Sequence, residues 1–411
     1  MRILYLTSRF PFGGAEAFLS AEVKALQKLG VAVEVVPCVR HSGEAIQGRW
    51  DPTWGHVHAI DPFPAWLRAI RSPSALRAMS TAVGPIARER SKLALRGLLR
   101  SSIAAEIAKI FPQGIDHIHA HWADTPATVA MATSRLLGVP WSFTAHRGDI
   151  VFNNDLAAKM NSARFTRFIS KSGIDLATDV AGPPPESVLQ KMRVIPLGVD
   201  VPDTPRPHAP PGNEVLSVGQ LKEVKGHRYL IQAAALLRER NVDFTLHIVG
   251  EGALEAELRD LIQTLGLTSC VHLAGALSHP ELFARFRSGS VNCVVLPSVD
   301  LGDGEHEGIP VSLIEAMAHA IPVVSTTTGG IPELVSSDAV GLLVEHKNPT
   351  LLADRMELLL GQPEVNLRIG AQARAEIIRN WSARESASQL VQAMQLVPAV
   401  GGSADRFAEG S

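Results

Sequence analysis

Met1-Arg-Ile-Leu-Tyr-Leu-Thr7 is followed, past Ser8-Arg-Phe-Pro-Phe-Gly-Gly14, by a helical stretch that closes at Gly30, and then by Ala32-Val-Glu-Val-Val36. Two short runs rich in β-branched and aliphatic residues flank a helix of about 15–29. That order is the β-loop-α-β unit of a parallel sheet with helices on its faces. Gly30 suits the C-cap, where a left-handed residue ends the helix. Strand signals recur near Ile115 to His119, Trp141 to Thr144, Phe165 to Ser170 and Val194 to Pro196, and the stretch 62–110 reads as helical.

The run Val201-Pro-Asp-Thr-Pro-Arg-Pro-His-Ala-Pro-Pro-Gly-Asn213 holds five prolines in thirteen residues, which predicts a linker. A second α/β series starts at Glu214, with strands expected near Phe244 to Val249, Val271 to Leu273, Val291 to Leu296, Pro322 to Ser325 and Gly341 to Val344. The organisation expected is therefore an N-terminal unit 1–200, a linker 201–213 and a C-terminal unit 214–382. A terminal helix 383–396 would pack back on the N-terminal unit, and 397–411 reads as a disordered tail. Two doubly wound domains joined this way place their strand-end loops around a shared cleft.

Composition narrows the partners. A formal charge of −2 offers no global field for nucleic acid. Cys38, Cys270 and Cys293 are scattered and odd in number, as reduced structural cysteines are. No apolar run is long enough to span a bilayer, and the N-terminal run is too short for a signal peptide. These features predict a cytoplasmic protein. The segment 65–109 carries nine lysines and arginines against two glutamates, a local +7. It reads either as an ordinary amphipathic face or as a patch for an anionic membrane, peripheral on its inner face.

Glu307 and Glu315 have seven residues between them, with Pro310 placed to open a helix. Glu307 then lies in the preceding loop and Glu315 about one and a half turns into the helix, so both can address one cleft. In Gly219-Gln-Leu-Lys-Glu-Val-Lys-Gly-His227 a strand ends in glycines and lysines ahead of a helix. Such a loop suits an anion, or is a plain βα turn with solvated lysines. It lacks the Gly-Lys-Ser/Thr of a Walker loop. Gly13-Gly14 could likewise offer backbone N–H groups or simply turn sharply, and no G-x-G-x-x-G fingerprint supports a dinucleotide. His146, in Thr144-Ala-His-Arg-Gly-Asp149, sits at a strand's carboxyl end, where α/β ligands bind. His117, His119 and His121 alternate along one strand and share a face. They form a row without a second ligand strand, so no metal is assigned, and His121 is the one nearest the cleft.

Taken together, these motifs resemble those of retaining nucleotide-sugar glycosyltransferases of family 4, which have the GT-B fold. The resemblance runs from Met1 to about Leu390. Glu307 to Glu315 resembles the family's E-x7-E motif, and Ser217-Val-Gly-Gln-Leu-Lys-Glu-Val-Lys-Gly226 its phosphate loop. Phe10-Pro11, Ala15-Glu-Ala-Phe18, His119-Ala-His121, Thr144-Ala-His146 and Gly304-Glu-His-Glu-Gly-Ile-Pro310 are closest to the colanic-acid and exopolysaccharide branch.

The resemblance implies an α/β protein of two Rossmann-like domains facing an interdomain cleft. It implies transfer of a sugar from a UDP- or GDP-sugar to a hydroxyl of a glycan or polyprenyl-diphosphate-linked acceptor, with retained configuration and no metal or other cofactor. Glu307 would hold donor-sugar hydroxyls, Glu315 the ribose, and Lys225 the departing diphosphate. His146 would contact the transferred sugar or its phosphate. Gly14, Gly219, Gln220, Gly308, Ile309, Pro310 and Val311 would complete the donor site, with Glu16, His121 and Asp149 on the acceptor or cleft side. Gln220 stands where the family usually has arginine, so this position brings a neutral donor. Two alternatives use the same fold: a sugar-nucleotide epimerase, and a non-catalytic sugar-nucleotide binder.

Overall fold

The computed structural model describes residues 1–11, 16, 18–39, 49–51, 55–58, 60, 91–153, 155–206, 212–302 and 304–396. Two sheets organise them. The first has eight strands: β1 (Arg2–Thr7), β2 (Ala32–Pro37), β3 (Arg49–Asp51), β4 (Gly55–Val57), β5 (His117–His121), β6 (Trp141–Ala145), β7 (Phe165–Phe168) and β8 (Met192–Val194). Their order is β3-β4-β2-β1-β5-β6-β7-β8, parallel throughout except for the β3–β4 pair. The second has six: β9 (Glu214–Val218), β10 (Thr245–Val249), β11 (Val271–Gly275), β12 (Val291–Leu296), β13 (Val323–Thr326) and β14 (Leu342–Val344). Their order is β11-β10-β9-β12-β13-β14, all parallel. The strand order reverses at β1 in one sheet and at β9 in the other. A crevice opens at such a point beyond the carboxyl ends of the strands.

Strand positions follow the sequence closely in the second sheet. In the first, β5 lies two residues later than hydropathy suggests, because it runs through the histidine row. His117, His119 and His121 are all buried there. Hydroxyls on the neighbouring strand make this tolerable. Ser142 Oγ lies 2.7 Å from His117 Nε2 and 2.8 Å from His119 Nδ1, and Thr144 Oγ1 lies 2.9 Å from His119 Nε2. The short strands β3 and β4 have no counterpart in the sequence reading.

The chain crosses between the sheets twice, and the crossings lie side by side. Val199 N–H donates to Trp381 O at 3.0 Å, and Ala383 N–H donates to Val199 O at 2.8 Å. A Cβ on Gly198 would lie 2.5 Å from Ala383 Cα, so the approach requires glycine. After the second crossing, helix Ala383–Leu396 returns to the first sheet. Ala387, Leu390 and Met394 join Ile3, Tyr5, Leu19 and Val23 in one apolar cluster.

Of the basic segment 65–109, residues 65–90 lie outside the described residues. Helix Ser91–Ile110 turns Ile103, Ala104 and Ile107 into the core, and Arg100 donates to Thr125 Oγ1 at 2.8 Å. Those three residues, in the second half of the helix, are spent on packing. Among the described residues no helix is long and apolar enough to cross a membrane.

Candidate active site

The loop after β9 is shaped by backbone contact. Gly226 has φ +68°, and a Cβ there would lie 1.9 Å from Pro297 O. Any side chain would push the loop off the end of β12. Val299 N–H donates to Val224 O at 2.9 Å and ties the two segments. The Lys225 stem then lies over Gly219, and its ammonium pairs with Glu307 Oε2. Ser298 Oγ donates to the same oxygen at 3.2 Å. Both side chains are mostly buried, so the pair is shielded from bulk water. Gln220 is exposed.

Glu307 is set from behind by Gly329, where a Cβ would lie 1.9 Å from Glu307 O. Pro310 caps helix Val311–Ala318 rather than opening it. Ile309 and Val311 turn their side chains to the apolar core, leaving the backbone N–H groups of the helix start as what this segment can offer an anion. Glu315 is buried in the helix and accepts from His279 Nε2 at 3.1 Å. That bond raises the His279 pKa above its ordinary value, against the opposing effect of burial.

The two acids share a helix-and-loop unit but have separate partners. Glu315 opens onto a cavity of about 540 Å³ between the two halves, lined by Phe10, Phe18, Lys24, His279 and Phe283. Neither Lys225 nor Glu307 lines it. The structure thus joins Lys225, Ser298 and Glu307 in one group, and Glu315 with His279 in another.

His146 stands at the end of β6 as the cap of helix Arg147–Phe152. Its ring packs on Trp122 at 4.2 Å between centroids. Trp122 has φ +97°, a left-handed backbone that a tryptophan rarely adopts, and such strain gathers at functional sites. Nothing in the sequence singled it out. Arg147 Nε donates to Gly304 O at 2.7 Å, which sets His146 across from the Glu307 loop. Glu333 adds a second contact between the halves, accepting from Lys171 N at 2.7 Å and Ser172 N at 2.9 Å.

Three residues expected on the acceptor side of the cleft are instead buried, with their polar atoms engaged inside. Glu16 accepts the N–H groups of Arg9 (2.7 Å) and Phe10 (2.5 Å), folding the loop after β1. Asp149 accepts from Ala123 N and, at 2.7 Å, from His146 N. Burial pushes the Asp149 pKa up to about 7 in spite of these bonds. His121 is fully enclosed, 2.9 Å from Tyr5 Oη and 2.8 Å from His146 Nε2. Each acts in the packing beneath the cleft. Gly14 lies outside the described residues.

Among the described residues, two three-residue groups have metal-like spacing, and both are engaged by protein partners. Glu22, His119 and His121 belong to the hydrogen bonds of the first domain's interior. Glu34, beside His56 and His58, is paired with Arg2 at 2.8 Å and with His58 at 2.9 Å.

Two facing doubly wound domains, with a lysine–glutamate pair on the loops between them, are the GT-B architecture. The sequence places the chain more narrowly. Residues 204–376 match the family model described as glycosyl transferases group 1. The chain is 31% identical over 400 residues to the protein of Escherichia coli (strain K12) assigned to colanic acid biosynthesis as the glycosyltransferase WcaL, covering 87% of this chain and 90% of that one. It is 34% identical over 182 residues to the amylovoran biosynthesis glycosyltransferase AmsK of Erwinia amylovora, covering 44% of each. Among solved structures, Anabaena Alr3699/HepE in complex with UDP and glucose shares the fold with a TM-score of 0.68 at 18% identity, over 95% of this chain and 98% of that one. The chain belongs to the group 1 glycosyltransferase family.

Proposed function

We propose that this glycosyltransferase moves a sugar from a nucleotide-sugar donor to a hydroxyl of a glycan or lipid-linked acceptor in surface-polysaccharide assembly, with retained anomeric configuration. The observation that carries this reading is the shielded Lys225–Glu307 pair, at the end of β9 and ahead of a helix N-terminus. A donor diphosphate would draw the Lys225 ammonium to itself and free Glu307 to accept sugar hydroxyls. The first N–H groups of helix Val311–Ala318 would share the diphosphate charge. Glu315 would exchange His279 for the ribose hydroxyls. Charge neutralisation by lysine and helix N–H groups needs no divalent metal, so activity should persist in EDTA. The bound UDP of the HepE structure and the polysaccharide names of WcaL and AmsK support this assignment of donor and pathway.

A thermal-shift screen over UDP-, GDP-, ADP- and dTDP-sugars identifies the donor, because a ligand that binds only the native state raises the melting temperature. Release of free nucleoside diphosphate in the presence of acceptor then reports transfer. Glu307→Gln should abolish that release. Full activity in the variant would remove Glu307 from the mechanism, and donor conversion without acceptor would mark an epimerase instead.

A further inference from the structure

Behind His146 runs an unbroken line of buried polar groups. His146 Nε2 lies 2.8 Å from His121 Nε2, and His121 Nδ1 lies 2.9 Å from Tyr5 Oη. Tyr5 Oη donates to Glu22 Oε1 at 2.5 Å, and Glu22 Oε2 is paired with Arg167 Nη1 at 2.6 Å. The Arg167 guanidinium directs three more N–H groups to Ile195 O (2.8 Å), Pro196 O (2.7 Å) and Ser386 Oγ (2.9 Å). Tyr5, His121 and Arg167 are fully buried, and Glu22 nearly so.

The protons along this line can be counted from one end. Arg167 has only donors, so Glu22 Oε2 accepts from it, and Oε1 is the acceptor that faces Tyr5 Oη. Tyr5 must then give its single proton to Glu22, which leaves the phenol oxygen to accept. A neutral imidazole has one N–H, and at His121 it must lie on Nδ1 to meet that oxygen. His121 Nε2 is therefore bare and accepts from His146, whose one proton must sit on Nε2. Alternative charge states are disfavoured by the surroundings. Burial, then Glu22, holds the Tyr5 hydroxyl well above the usual phenol range. Burial holds His121 well below the usual imidazole range, and burial, then Arg167, brings His146 down to about 3.

We propose that Tyr5, backed by Glu22 and Arg167, is a positioning residue that fixes His146 as the neutral Nε2–H tautomer, its proton directed inward to His121. His146 then brings no ring N–H to the donor. The remaining nitrogen, Nδ1, is an acceptor, and the Asp149 backbone N–H faces the same side chain in a capping box. The imidazole serves as a rigid neutral wall opposite Glu307, and proton donation to the leaving diphosphate falls to other groups. The catalytic consequence rests on the transferase reading above. The proton arrangement itself does not.

The test is nitrogen-15 NMR of the full chain labelled at histidine, at pH 7. Two- and three-bond N–H couplings distinguish the tautomers, and His121→Gln and His146→Gln identify the signals among the 15 histidines. His121 should show the Nδ1–H pattern and His146 the Nε2–H pattern. Tyr5→Phe removes only the hydroxyl. It should abolish the single His121 pattern and lower kcat about tenfold, with donor KM changed less than about twofold, as expected of a group acting on geometry. An Nε2–H pattern at His121, or either ring doubly protonated, would overturn the proposal from the wild-type spectrum alone. An unchanged kcat in Tyr5→Phe would overturn the positioning role. A predicted spectrum in a chain with no transferase activity would support the proton arrangement and fault only the transferase reading.

Discussion

Lys225→Met tests the donor site most directly, because methionine keeps most of the stem over Gly219 while deleting the charge. Two effects follow from the geometry. First, the donor loses a charge-assisted hydrogen bond to its diphosphate, worth about 1.5–3 kcal/mol, or roughly a 10- to 150-fold weaker Kd. Second, Glu307 is left with the Ser298 hydroxyl as its one remaining side-chain partner of those described. An unpaired carboxylate beside a diphosphate repels it. Like charges about 4 Å apart interact by roughly 4 kcal/mol at a surface-like dielectric of about 20. Lys225→Met should therefore fall at the weak end of the range, and Lys225→Met/Glu307→Gln should bind nucleoside diphosphate more tightly than Lys225→Met alone. Isothermal titration with the diphosphate selected by the thermal-shift screen measures both. Binding by Lys225→Met within about threefold of wild type, or a double variant weaker than the single, would refute the assignment of Lys225 to the diphosphate.

Arg167→Met should cost about 3–5 kcal/mol in urea denaturation, because it strands the Glu22 carboxylate in the interior. A loss under about 1 kcal/mol would contradict the pairing. At the other acid, Glu315 raises the His279 pKa, so the pair's contribution is complete below about 6.5 and disappears as pH climbs through the raised value. The melting-temperature difference between wild type and His279→Ala should therefore be larger at pH 6 than at pH 8. A difference that grows with pH would show that the ring does not charge against Glu315.

The parallel-sheet architecture was legible because β-branched runs, turn glycines and the proline-rich 201–213 stretch are local signals. Lys225, Glu307 and Glu315 were legible as a spaced pattern. Their pairing was not, since Lys225 and Glu307 are 82 residues apart and meet only because Gly226 lets one loop press against Pro297. The misplaced expectations share one cause. Glu16, His121 and Asp149 are polar residues near strand ends, where hydropathy predicts exposure. Each is buried because a backbone N–H or a side chain meets it: Phe10 N for Glu16, His146 N for Asp149, and, 116 residues away, Tyr5 Oη for His121. Trp122 was missed for a related reason, as its importance lies in a backbone angle that no residue type announces.

Helix Ala383–Leu396 belongs to the first domain although it is made after the second. The second domain is thus an insertion within the first, entered after Leu197 and left at Ser382. A ribosome emits all of residues 1–200 long before the helix that covers Tyr5, Leu19 and Val23 exists. Ser386, which completes the shell around Arg167, arrives equally late. Until residues 383–396 are made, the apolar face of Ile3, Tyr5, Leu19 and Val23 is an uncovered groove. A fragment ending at residue 200 would keep that groove open, and residues 383–396 supplied as a separate peptide are the piece shaped to close it.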